Sequence, residues 1–151
     1  MKIVVSACLA GFSCRYDAKA NTVPFIQELY RKKFALPVCP ECLGGLSIPR
    51  VPCEIRGNRV ISKQGIDCTN AYWKGSFLAL HYARLCGAKM AILKAKSPSC
   101  GVGQIYDGTF TKTLIAGNGI FAGLLIANHF FVCTEKDNVM EKFFAHCGAL
   151  K

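Results

Sequence analysis

The sequence predicts an α/β domain with a mostly parallel sheet flanked by helices, on three observations. Short β-branched or apolar runs at residues 2–7, 34–38, 88–93 and 129–133 have the composition of buried strands. Stretches with helical periodicity alternate with them. No internal repeat, linker or low-complexity tract interrupts the pattern, so the 151 residues are expected to form a single domain over 1–151 with a sizeable core.

The first run, Lys2-Ile3-Val4-Val5-Ser6-Ala7, delivers Cys8 to its end. Residues 9–17 read as a loop, permissive at Gly11, in which Arg15, Tyr16 and Asp17 can face a pocket. From Pro24, the residues Phe25, Ile26 and Leu29 mark a helix of two to three turns, and its basic end at Lys32-Lys33 suits the helix dipole. The second strand run, 34–38, delivers Cys39-Pro40-Glu41-Cys42. Leu43-Gly44-Gly45-Leu46 and Pro49-Arg50-Val51-Pro52 lack periodicity, as a segment wrapped around a site would. Residues 53–61 form a small hairpin turning at Gly57-Asn58, expected at the sheet edge or over the pocket.

Between Cys68 and Cys86, apolar residues recur at near-helical spacing: Tyr72, Trp73, Phe77, Leu80, Ala83 and Leu85. Gly87 stops this longest helix, and its aromatic residues read as core. The strand at 88–93 then leads into Lys96-Ser97-Pro98-Ser99-Cys100-Gly101-Val102-Gly103, where a third thiol sits at a strand exit. Asp107-Gly108 is a turn, and Gly117-Asn118-Gly119 precedes a helix carrying Ile120, Phe121, Leu124, Leu125 and Ile126. After the strand at 129–133, Thr134 with Asp137 three residues on is the expected cap of a final helix bearing Val139, Met140, Phe143 and Phe144.

A composition of 52% hydrophobic and 19% charged residues excludes disorder, and no apolar run reaches the roughly 20 residues that span a bilayer. No signal-peptide h-region follows Lys2, so the chain is expected in the cytoplasm. The net charge of +10 is spread along the chain rather than blocked. It fits a solvated basic surface and, equally, attraction of an anionic substrate, from a nucleotide up to an RNA. Ten cysteines in a reducing compartment favour metal or catalytic roles over a disulfide framework. Cys68, Cys86, Cys133 and Cys147 read as core filler or inert thiols.

Cys8, Cys39 and Cys100 are then handed to the same sheet edge, and the carboxyl ends of strands are where open α/β sheets bind ligands. Iron is one reason for three thiols to converge: they can ligate three irons of a [4Fe-4S] cluster and leave the fourth free. An open position is what makes a metal site catalytic. Gly101 and Gly103 read as leaving room for an inorganic cofactor rather than a phosphate. Structural zinc competes, since Cys39-x-x-Cys42 is half of a paired-knuckle pattern whose second half does not occur. A thioredoxin-like redox pair at Cys39 and Cys42 is a third reading, although Leu43-Gly44-Gly45 is a poor helix opening. Cys14 reads as packing in preference to a further ligand.

Three groups of residues carry a resemblance over nearly the whole chain. They are Ser6-Ala7-Cys8-Leu9-Ala10-Gly11 with Arg15-Tyr16-Asp17; Pro37-Val38-Cys39-Pro40-Glu41 with Gly44-Gly45-Leu46 and Pro49-Arg50-x-Pro52-x-Glu54; and Lys94-x-x-Ser97-Pro98-Ser99-Cys100-Gly101 with Tyr106-Asp107-Gly108-Thr109-Phe110. In these the sequence resembles the thiouracil desulfidase family. The resemblance implies a Rossmann-like α/β domain with a [4Fe-4S] cluster on three cysteines. Its unligated iron captures the sulfur of a thiolated pyrimidine, water replaces the sulfur at carbon, and sulfide leaves. Position by position, the cluster-binding metal ligands become Cys8, Cys39 and Cys100, and the acid/base positions become Glu41 and Ser97.

The residues themselves allow those roles. A carboxylate two positions from a ligand can activate water, and a serine three positions before another can relay a proton or orient substrate. The structural alternatives are a salt bridge for Glu41 and a cap for Ser97. Cys14 and Cys42 stand where family members often carry other residues, so neither is expected to be a ligand. Ala18 replaces the usual glycine after Asp17, which bears on the shape of that loop. Some relatives carry a further C-terminal domain associated with thiolated RNA. This chain ends at Lys151, which favours a small thiolated uracil base or nucleotide as substrate, with RNA second and no membrane partner. The reading from a different class is a non-catalytic zinc or nucleic-acid-binding module.

Overall fold

In the computed structural model, residues 2–149 are described. The chain runs β1 (Ile3–Ser6), a 3-10 turn (Ala7–Ala10), α1 (Pro24–Arg31), β2 (Ala35–Val38), α2 (Pro40–Leu43), β3 (Cys53–Arg56), β4 (Arg59–Ser62) and α3 (Thr69–Leu85). It continues with β5 (Met90–Leu93), β6 (Gln104–Tyr106), β7 (Leu114–Ala116), α4 (Ile120–Ala127), β8 (Phe131–Thr134) and α5 (Val139–Ala149). Four strands make one wholly parallel sheet in the order β2-β1-β5-β8, and β3-β4 and β6-β7 are separate antiparallel hairpins. The expected α/β class is therefore the observed one, and the hairpin at 53–62 lies over the pocket rather than at the sheet edge.

Side-chain alternation along the strands makes the layers. Val4, Ala91 and Leu93 pack with Ala79, Leu80 and Ala83 of α3 and with Phe121, Ala122 and Leu125 of α4. Their neighbours Ile3, Val5, Met90 and Ile92 point to the opposite face and meet Ile26 and Leu29 of α1 and Val139 of α5. Both faces of the sheet are covered, which is why these strands are continuous apolar runs. No helix among the described residues is long and apolar enough to cross a membrane.

Three local expectations are corrected. Cys39-x-x-Cys42 does stand at a helix start: Pro40 opens the one-turn helix α2 with Cys39 before it, because proline at the first helical position carries no N–H to leave unpaired. Thr134 ends β8 and does pair with Asp137, whose Oδ2 accepts the Thr134 N–H at 2.8 Å while Thr134 Oγ1 accepts the Lys136 N–H at 3.3 Å, but the turn they close lies ahead of the helix, which starts at Val139. Asn138 is the cap of α5, its Oδ1 accepting the Glu141 N–H at 3.2 Å while its Nδ2 donates to Glu141 Oε2 at 3.0 Å. Of the aromatic residues on α3 only Tyr72 is core; Trp73 and Phe77 are exposed, 37% and 56%, and lie ring to ring with centroids 5.7 Å apart.

The buried stripe of α3 is instead small: Gly75, Ser76, Ala79 and Ala83 with Tyr72 and Leu80. Its glycine has a positional reason. A Cβ at Gly75 would fall 1.7 Å from the Pro40 carbonyl oxygen, and one at Gly44 would fall 2.0 Å from that of Ala71. Helices α2 and α3 thus meet backbone to backbone, and this contact sets where Cys39 and Glu41 stand. Gly75→Ala is expected to push α2 away and lower stability by about 3 kcal/mol, the upper end of overpacking, as a reduced urea midpoint at unchanged m-value.

Candidate functional site

The chain passes from β1 outward to β2, then returns past β1 to β5 and β8, so the strand order reverses between β1 and β5. Ligands bind outside the carboxyl ends of strands at such a reversal. A cavity of about 380 Å³ opens there, within the range of small-molecule sites. Cys8, Cys39 and Cys100 all line it, the first just after β1, the second just after β2, the third on the loop leaving β5. Glu41 and Ser97 line it as well, so every sequence-predicted site residue reaches this one cavity.

The Cys100 loop is shaped by hydrogen bonds that its own sequence supplies. Ser97 Oγ accepts the N–H groups of Ser99 and Cys100 at 3.2 and 3.1 Å and lies 3.0 Å from Ser99 Oγ. Ser99 Oγ in turn donates to Cys100 Sγ at 3.6 Å. The first N–H groups of α4, which have no partner within the helix, donate to the carbonyls of Pro98 and Ser99 at 3.0 and 2.9 Å, so the helix start pins the loop. The two glycines that follow serve this fold rather than a cofactor's bulk. A Cβ at Gly101 would lie 2.7 Å from the Ser97 carbonyl oxygen, and Gly103 has φ +77° with open space around it.

Glu41 is held from two sides. Arg50 Nη2 donates to Oε2 at 3.2 Å, and the buried Tyr72 hydroxyl donates to Oε1. Burial and the Glu41 charge push the Tyr72 hydroxyl far up, so it remains a donor. Arg50 itself, with a side chain only 7% exposed, also donates to the carbonyls of Cys14 and Ser47 at 3.0 and 3.1 Å. It ties together the loops that follow β1 and β2. At the exit of β5, Lys94 Nζ pairs with Glu135 Oε1 at 2.6 Å, and Glu135 Oε2 accepts the Ala95 N–H at 2.7 Å.

Burial pushes the Cys8 thiol up to about 11, helped by Cys39 and opposed by Lys94 and Arg15. It pushes Cys100 up to about 12, opposed by the hydroxyls of Ser6 and Ser99. Cys39 goes the other way: hydrogen bonding from the Cys14 thiol favours its thiolate and holds it down to about 6. The same bond, with burial, pushes Cys14 up. Because the thiolate is the nucleophile, iodoacetamide on metal-free protein at pH 7 should label Cys39 first, with Cys8 and Cys100 lagging until alkaline pH. Peptide mass spectrometry showing equal early labelling at all three would contradict this ordering.

The donor set fits a thiolate-ligated metal group. It is soft, its buried thiols would exchange protons for a cation, and two hydroxyls and a lysine already favour the anionic form. A single zinc ion asks for more convergence than is present: among the described residues, no three His, Cys, Asp or Glu side chains are close enough to hold one metal ion. Cys14, read as packing, lies in the cavity beside Cys39, and Cys53 lines it from β3. Cys42 is not among the lining residues; its Sγ lies 3.8 Å from the Cys14 carbonyl oxygen and 3.9 Å from Arg50 Nη1. The described thiols are all free.

Several site residues had no role in the sequence reading. Arg50, Lys94 and Glu54 stand inside its motifs, which was their signal. Tyr72 looks like any other aromatic of α3, and Glu135 like any surface carboxylate, so nothing local marks either.

A parallel α/β domain with strand-borne thiols at its switch point has the architecture of the open α/β class, which binds ligands at that edge. Within that class, a family profile described as 2-thiouracil desulfurase matches residues 3–137. The chain belongs to the 2-thiouracil desulfurase family. It is 39% identical over 145 residues to the uncharacterized protein YbbK of Bacillus subtilis (strain 168), covering 89% of this chain and 96% of that one. It also superposes on a solved structure described as the [4Fe-4S]-dependent thiouracil desulfidase TudS, with TM-score 0.89, 36% identity, and coverage of 97% of this chain and 98% of that chain.

Proposed function

We propose that this chain is a cytoplasmic, single-domain [4Fe-4S]-dependent desulfidase. It converts the C=S of a thiouracil-type base or nucleotide to C=O, taking oxygen from water and releasing sulfide. The observation that carries this reading is the meeting of Cys8, Cys39 and Cys100, each from its own strand exit, on one cavity at the switch point. These three would hold the cluster, whose ligands sit on separate irons and so need not converge on one point. When bound, the cluster supplies a Lewis-acidic iron with an open position for the thiocarbonyl sulfur.

The remaining steps belong to the chain's own residues. Glu41 takes a proton from the attacking water. Its ion pair with Arg50 and bond from Tyr72 fix the carboxylate's direction and leave about two of its four lone-pair positions for that water. Ser97 holds the Cys100 loop, and through the Ser99 hydroxyl it offers a short path for a proton. Cys14 hydrogen-bonds to Cys39 and is no ligand.

Charge favours an anionic form of the substrate. Arg15, Arg50, Lys63, Lys94, Lys96 and Lys112 line the cavity against the carboxylates of Glu41 and Glu54. Arg50, Lys94 and Arg15 are paired with Glu41, Glu135 and Asp17, whereas Lys63, Lys96 and Lys112 form no ion pair among the described residues. The test is sulfide release from thiolated uracil bases, nucleosides and nucleotides by anaerobically prepared protein, with the oxygenated pyrimidine as co-product. Nucleotides should lead at low salt, and their advantage should shrink as salt rises. Protein that carries zinc without acid-labile sulfide, and releases no sulfide from any member of the panel, would sink the reading.

A further inference from the structure

The loop between β6 and β7 is built more firmly than a connection needs to be. On its outer side, exposed residues at alternate positions bond to one another. Asp107 Oδ1 accepts from Thr109 N–H and Oγ1 at 2.9 and 2.6 Å, and Thr109, Thr111 and Thr113 hydroxyls follow at 2.6 and 2.8 Å. The Asp107 N–H closes the loop on the Thr113 carbonyl at 3.0 Å. On its inner side, Glu54 of β3 is buried, and its Oε1 accepts the N–H groups of Gly108 and Phe110 at 3.2 and 3.1 Å. Arg56 Nη2 donates to the Gly108 carbonyl at 2.7 Å.

The product of this clamp is a bulky side chain in an unfavourable backbone state. Phe110 has φ +59°, a region that aromatic residues avoid, and it lines the cavity. Among the described residues, three of the six non-glycine residues with positive φ, Lys96, Phe110 and Lys112, line the cavity. Backbone strain held by over-determined surroundings collects at ligand clamps. A carboxylate placed only to bind backbone could do so anywhere; here its effect is to fix the backbone that carries an aromatic side chain of the cavity lining.

We propose that Phe110 is the face on which the planar ring of the substrate stacks, and that Glu54 is the positioning residue that holds it there. The identity of the ring as a pyrimidine rests on the desulfidase reading; the existence of an aromatic ring site does not. Base–aromatic stacking sets the scale of the effect. Phe110→Ala raises KM for thiouracil by roughly ten- to a hundredfold and leaves kcat within about twofold, and Phe110→Tyr restores it. Glu54→Ala reproduces the KM defect, whereas Glu54→Gln, which keeps an acceptor oxygen, largely retains the parent KM. Phe110→Gly separates fold from contact, because it relieves the positive φ and raises the melting temperature while KM still rises.

A second readout needs no turnover: saturation-transfer NMR of uracil on the anaerobically prepared protein gives a ring signal that Phe110→Ala abolishes. An unchanged KM, or an unchanged uracil signal, in Phe110→Ala overturns the proposal. So does a Glu54→Gln variant with low kcat and unchanged KM, which would make Glu54 an acid/base group. If no thiolated pyrimidine is turned over while uracil binding still depends on Phe110, the desulfidase reading falls and the ring site stands.

Discussion

Cys100→Ala is expected to take reconstituted protein from about four irons per chain to nearly none, and sulfide release from thiouracil to background. Two irons at most could stay anchored when one of three thiolates is lost, and an incompletely ligated cluster is open to oxygen and to thiols in solution. The loop should survive the change, because Ser97 Oγ still accepts two N–H groups and α4 still donates to the Pro98 and Ser99 carbonyls. Thermal unfolding by circular dichroism therefore stays close to that of the parent, separating ligand loss from misfolding. Cys8→Ala and Cys39→Ala should behave alike. Cys42→Ala should keep iron and activity, since Cys42 does not line the cavity and its Sγ contacts, to the Cys14 carbonyl, Arg50 and the Cys39 thiol, are weak sulfur hydrogen bonds. Iron retained in Cys100→Ala but lost from Cys42→Ala would mean the ligand set is wrong.

Glu41→Gln should lower kcat by roughly a hundred- to ten-thousandfold, the range a positioned acid/base group contributes, and leave the iron content and visible spectrum of anaerobic protein unchanged. The amide is nearly isosteric and still accepts from Tyr72 or Arg50, so the carboxylate's place is filled and only its basicity is removed. A drop limited to a few-fold would reassign Glu41 to the structural pair with Arg50. A loss of iron would instead show that the pair chiefly maintains the geometry of α2 and hence of Cys39. Measured kcat against bound iron distinguishes these outcomes without reference to substrate affinity, which should move little.

What could be read without a structure is set by short-range rules. Apolar runs of β-branched residues place β1, β2, β5 and β8, and helical periodicity places α1, α3, α4 and α5. A parallel sheet puts all its strand exits on one edge, so residues that directly follow those runs are neighbours however far apart they stand in sequence. That is why Cys8, Cys39 and Cys100 were legible, whereas Glu41 and Ser97 were marked only by the family resemblance; all five line the cavity. Trp73 and Phe77 were misplaced because periodicity cannot separate a buried stripe of glycine, serine and alanine from the aromatic stripe beside it.

The sequence by itself thus determined the layered α/β class, the strand exits and the thiols they carry. Only the tertiary structure decided how those thiols are surrounded. Tyr72 meets Glu41 across 31 positions, Arg50 joins the loops after β1 and β2, and Glu54 clamps Phe110 across 56 positions. Each of these contacts owes its strength to burial and to one hydrogen-bond geometry, and neither exists until the elements have packed, so no local pattern in the chain announces them.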